Sequence, residues 1–113
     1  MLDLRNHKDL IHGLVAEANE NDTNWKWSVK SISKTEARIF WGYLEYCDQP
    51  EPCFSINLEE FVGDWMLTAK DEHGDTLTGV IVEDKDIPEF NTPLDTAIRE
   101  AIGRLVRLAH YLY

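Results

Sequence analysis

Along the last twenty-two positions, Thr92 to Tyr113, apolar residues recur with the period of an α-helix. At 100° per residue, Leu94, Ala97, Ile98, Ala101, Ile102, Leu105, Leu108, Ala109 and Leu112 fall within about 140° of arc, uninterrupted by a polar residue. Thr92 suits the N-cap, Pro93 the first helical position, and Asp95 the positive end of the helix dipole. Residues 4–20 repeat the pattern more weakly. Leu4, His7, Leu10, Ile11, Leu14, Val15 and Ala18 share one arc of about 140° and Gly13 lies opposite. Asp3 or Asn6 can cap that helix, and the polar run Asn19–Asp22 can end it.

Between the two helices the period changes to two. Trp25, Trp27 and Val29 alternate with Lys26, Ser28 and Lys30, which predicts a strand over 24–32 with one buried face. After a turn at Ser33–Thr35, residues 36–47 predict a longer strand that is apolar on both sides. Ala37, Ile39, Trp41 and Tyr43 point one way; Phe40, Leu44 and Tyr46 point the other. The Gln49–Pro52 loop breaks it. Phe54, Ile56 and Leu58 give a third strand ending near Glu59, and residues 61–71 a fourth, with Gly63 a bulge or turn between them. Asp71–Asp75 reads as a hairpin loop, Thr76–Glu83 as a β-branched fifth strand, and Asp84–Asn91 as an acidic lead into the last helix.

The order α-β-β-β-β-β-α has no link long enough for a parallel crossover. It predicts an α+β fold, a two-layer antiparallel meander of about five strands with N- and C-terminal helices packed on one face. At 113 residues, the chain is read as a single globular domain, 1–113.

Composition adds little to this, and charge adds more. Hydrophobic residues make up 43% and charged residues 28% of the chain, as in ordinary globular proteins. The charged start at Asp3 and Arg5 is unlike a secretory leader, and no apolar run reaches the roughly eighteen residues of a membrane span. The expected location is therefore cytoplasmic. Cys47 and Cys53 are then read as reduced thiols flanking a tight loop, a redox-sensitive bridge being the alternative.

The net charge is −10 and it is unevenly spread. Residues 1–44 hold six acids and six bases; residues 45–95 hold fourteen acids against Lys70 and Lys85; residues 96–113 hold Glu100 against three arginines. The acids form three groups: Glu45, Asp48 and Glu51 around the cysteine loop; Asp71, Glu72 and Asp75 at a hairpin tip; Glu83, Asp84, Asp86 and Glu89 before the last helix. The second and third groups are expected at opposite ends of the sheet, and the first is expected to share an end with the third. Such a field repels nucleic acid and anionic membrane and attracts basic proteins. Charge away from zero also serves solubility.

Signatures of catalysis are missing: no phosphate-cradling glycine loop, nucleophile elbow, His-Glu-x-x-His or dinucleotide fingerprint occurs. His73 among Asp71, Glu72 and Asp75 is the densest set of potential ligands, but Asp and Gly crowd hairpin tips for backbone reasons. His7, inside an apolar arc, reads as an interfacial histidine. The expectation is no catalytic residue, no cofactor and no metal. Four Trp, four Tyr and four Phe leave rings either for an open sheet face or for a sheet that curls over them. On the last helix, Arg99, Gly103, Arg107 and His110 lie opposite the apolar arc, and Arg104, Arg107 and His110 are read as compensating the helix dipole.

These readings converge on a small non-enzymatic acidic protein that binds, and inhibits or masks, a basic protein partner through the ten acids named above. Inhibitors, immunity proteins and nucleic-acid mimics work this way, often beside a phage or toxin gene, with a nuclease or nucleic-acid-binding protein as target. The alternative is a homo-oligomeric structural or adaptor domain using an aromatic sheet face.

Overall fold

A computed structural model of the chain describes residues 2–22, 25–43, 52–62, 64–82 and 93–112. The N-terminus enters through a 3₁₀ turn, Leu4–His7, which continues directly into helix α1, Lys8–Asn21. Asp3 caps the turn: its carboxylate accepts from the Arg5 N–H at 2.9 Å and from the Arg5 guanidinium at 2.7 Å. That guanidinium holds the Asp3 carboxyl down at about 2, so the contact acts above the ordinary carboxylate range and fades as pH falls through about 2.

Five strands follow: β1 Trp25–Ile32, β2 Glu36–Tyr43, β3 Pro52–Phe61, β4 Asp64–Lys70 and β5 Thr76–Val82. They form one antiparallel sheet in sequential order. Helix α2, Pro93–Leu112, closes the chain. The expected α+β meander is therefore the observed one. Both helices lie on the same face of the sheet, α1 under β1 and α2 under β4 and β5. Among the described residues no helix is long and apolar enough to cross a membrane.

Alternation decides the core. Trp27, Ala37, Ile39, Phe54, Ile56, Leu58, Leu67, Ala69 and Val82 are buried on the helix-facing side. From α2 come Leu94, Ala97, Ile98, Ala101, Ile102, Leu105 and Ala109, which is the predicted arc; Leu108 is half-buried. The Leu112 side chain, Thr92 as cap, and Leu44 and Tyr46 lie outside what is described. From the N-terminal segment, Leu4, Ile11 and Val15 are buried. Trp27 and Phe54 stack with ring centroids 6.1 Å apart.

The opposite face of the sheet is polar through its middle. Glu36 pairs with Arg38 at 2.7 Å, Glu59 with Lys70 at 2.5 Å, and Asn57 donates to Ser55 at 2.9 Å. Phe40, on that side by alternation, is only 7% exposed, so it is not a ring left open to a partner. The Met66 thioether lies over Gly79, 3.2 Å from where a Cβ would stand, so a side chain there would have to displace it.

β3 runs two residues beyond its expected end near Glu59, and β4 begins at Asp64 rather than at 61. Phe61 pairs with Asp64, leaving a two-residue loop at Val62 and Gly63. Val62 adopts φ +50° and is 86% exposed. Two-residue hairpins demand this left-handed conformation, and a β-branched residue is poorly suited to it. Val62→Asn is expected to stabilise the fold by about 1 kcal/mol, seen as a higher urea midpoint with an unchanged slope.

Candidate partner-binding surface

The hairpin between β4 and β5 is built by one carboxylate. Asp71 Oδ1 accepts from the backbone N–H of His73 at 2.9 Å and of Asp75 at 3.0 Å. The Asp71 N–H donates to the Asp75 carbonyl at 3.0 Å, and Gly74 N–H to the Asp71 carbonyl at 3.1 Å. Gly74 takes φ +83°, which only glycine adopts without strain. The residue types at this tip are thus explained by the turn itself, as the sequence suggested. Among the described residues no group of His, Cys, Asp and Glu is arranged to hold a metal. His73 Nε2 stands 3.6 Å from the Glu72 carboxylate, in the open.

Register brings further residues to the tip. Arg38 pairs with Ser55 across β2 and β3, and Ser55 with Lys70 across β3 and β4, so Asp71 rises beside Phe54. A cleft of about 270 Å³ results, lined by Glu36, Arg38, Phe54, Ser55, Asp71, Glu72 and Gly74. Three carboxylates face it against one guanidinium, which Glu36 already holds. Glu36 is not legible as a site residue: it stands in a neutral stretch of sequence, and only strand register sets it beside Asp71 and Glu72.

Of the ten acids expected to bind a partner, Asp71, Glu72 and Asp75 stand together at this tip. Glu45, Asp48, Glu51, Glu83, Asp84, Asp86 and Glu89 lie outside the described residues, as does Cys47. The strand ends that flank these stretches are described, however. β2 leaves the sheet at Tyr43 and β3 re-enters at Pro52 at the end where the 71–75 hairpin turns; β5 leaves at Val82 at the other end. Of the described strand ends, Tyr43 and Pro52 thus share an end of the sheet with the hairpin tip, and Val82 lies at the opposite end.

Two His–Asp pairs join the helices. His7, immediately before α1, contacts Asp95 in the first turn of α2 through Nδ1, as expected of an interfacial histidine. At the other end, His110 Nε2 stands 3.0 Å from Asp22, just after α1. Fifteen residues separate His7 from Asp22 and fifteen separate Asp95 from His110, about 22 Å of helix in each case. The helices therefore run side by side in the same direction, bridged at both ends.

The Asp22 side chain is 4% exposed and also accepts from the Trp27 indole at 3.0 Å. Nearby, Asn19 Oδ1 accepts from the Trp27 N–H at 3.0 Å. His110, the basic residue in the last turn of α2 as expected, is thus also a tertiary bridge. Arg104, expected to compensate the dipole, lies before the last turn and instead donates to Thr78 Oγ1 and to the Gly79 carbonyl, each at 3.3 Å, and pairs with Glu100. Arg99, Gly103 and Arg107 do remain on the exposed side of α2. A Cβ at Gly103 would meet nothing within 4 Å, so no contact among the described residues explains glycine there.

No protein-family model matches the chain, and neither the curated proteins nor the solved structures contain a significant match to it.

Proposed function

We propose that this chain is a small acidic binding protein of the cytoplasm, without catalytic chemistry, that docks on a basic protein and masks or inhibits it. The observation that carries the reading is the cleft at the 71–75 hairpin, where Glu36, Asp71 and Glu72 face about 270 Å³ of space. That volume is below the roughly 300 Å³ at which small-molecule pockets begin, and suits the end of one lysine or arginine side chain. Asp75 and Glu72 on the exposed tip extend the negative field outward, which speeds encounter with a basic surface. A nuclease or nucleic-acid-binding protein presents such a surface, and the acidic end then occupies the place of its phosphates. This is the manner of immunity proteins and nucleic-acid mimics.

The test is salt. For basic proteins retained on the immobilised chain at 50 mM salt, affinity is expected to fall at least about tenfold by 500 mM. The double variant Glu72→Lys/Asp75→Lys is expected to lose as much at low salt, with an unchanged circular dichroism spectrum. Equal affinity at both salt concentrations would end the proposal.

A further inference from the structure

The two edges of the sheet are built differently. β1 carries Lys26 and Lys30, both exposed, and its pairing with β2 slips at Lys30, between Val29 and Ser31. Lysines and a bulge are the devices by which proteins blunt an edge against pairing with another strand. β5 has no charged residue and no proline from Thr76 to Val82. Its one irregularity is at Leu77, which leaves Thr78–Val82 regularly paired with β4. Among the described residues β5 pairs with β4 alone, so one row of its backbone N–H and C=O groups faces outward.

Beside that edge runs a groove of about 500 Å³. Leu77 and Thr78 of β5 form one wall; Arg104, Arg107, Leu108 and Tyr111 form the other. Positions 104, 107, 108 and 111 are one stripe along α2, spaced by three, four and seven. Tyr111 is 86% exposed, and Ile81 further along β5 is 65% exposed. Arg107 has no carboxylate within 4 Å among the described residues, whereas Arg104 is held by Glu100.

We infer that β5 and α2 together form a binding site for an extended peptide segment whose groove-facing side chains are apolar with an acid among them. The peptide adds as a sixth strand to the outward row of β5, which supplies main-chain hydrogen bonds. Alternate side chains then point toward the groove, as the two-residue period of a strand requires. Apolar ones pack on Leu77, Leu108 and Tyr111, and an acidic one meets Arg107 with a charge-assisted hydrogen bond. The acid is chosen by charge complementarity: this is a basic, apolar groove on a protein of net charge −10. The site is separate from the acidic cleft and does not depend on it.

The experiment uses the intact chain and three fluorescein-labelled peptides of nine residues: a Val/Glu peptide with serine at the even positions, glutamate at position five and valine at the other odd ones; the same peptide with lysine in place of glutamate; and the first peptide with alternate backbone nitrogens methylated. Fluorescence anisotropy is expected to show binding of the Val/Glu peptide only. Arg107→Glu is expected to weaken it about tenfold, the scale of one charge-assisted contact, while thermal unfolding stays unchanged because Arg107 is exposed. Equal binding of the glutamate and lysine peptides would overturn the proposal, as would binding that survives backbone methylation. Sedimentation velocity of the chain with and without the Val/Glu peptide is the second measurement, and a monomer in both is expected. A dimer that the peptide does not dissociate would also overturn the proposal, because a second copy would then occupy the edge.

Discussion

Leu105→Ala is expected to lower the unfolding free energy by about 3 kcal/mol, within the roughly 2.7–5 kcal/mol range for buried leucines cut to alanine. Leu105 is fully buried at the centre of the apolar arc of α2, among the residues that join this helix to the sheet. The cost is the lost transfer of a large side chain out of water, plus the cavity left because helix and sheet cannot close over it. For a domain of this size that is about 10 °C in midpoint temperature, read by circular dichroism. Leu105→Met, which keeps the volume, is expected to cost less than about 1.5 kcal/mol. If the two variants melted together, Leu105 would not be part of a close-packed interior.

Asp22→Ala is expected to be comparably damaging, by about 3 kcal/mol, for a different reason. Its side chain accepts from the Trp27 indole and stands at hydrogen-bonding distance from His110, in a place almost closed to water. Alanine removes the carboxylate that the buried Trp27 indole donates to, where losing a buried acceptor costs more than the hydrogen bond itself contributed, while the half-exposed His110 turns to water. Asp22→Asn keeps an acceptor for the indole but removes the charge facing His110, so it is expected to fall between wild type and Asp22→Ala. Combining Asp22→Ala with His110→Ala isolates the bridge, because residues in direct contact do not give additive losses. Strict additivity in urea denaturation would mean that the helix ends are not coupled through this pair.

These two residues differ in how much of their role is legible in the sequence. Leu105 is legible because its neighbours at 101, 102, 108 and 109 repeat the same period, which places its side chain on the buried face without reference to any other part of the chain. Asp22 carries no such signal. It sits in a polar run that reads as a helix stop, and it does end α1; only the parallel packing of α2 closes His110 over it. The roles of Arg104 and His110 are hidden for the same reason. Near a helix C-terminus, dipole compensation explains a cation without any partner, so nothing in the sequence points to Thr78, Gly79 or Asp22.

What the sequence by itself determined was the secondary structure, the inward faces of both helices and of β1 and β3, and the meander. Periods of 3.6 and 2 are local properties, and links too short for a crossover leave antiparallel neighbours as the simplest arrangement. The Asp71–Asp75 turn belongs here as well, since its hydrogen bonds run between residues no more than four apart. What only the tertiary structure decided was everything requiring two elements to be placed against each other. Register put Glu36 opposite Asn57 and, through the rows above it, set Asp71 beside β3; strand direction grouped the ends flanking 44–51 with the hairpin tip. Two helices laid side by side made the His–Asp bridges and left β5 as an edge with a groove beside it. Periodicity states which way a side chain points; what stands opposite depends on translations along strands and helices, and those are fixed only when the core closes.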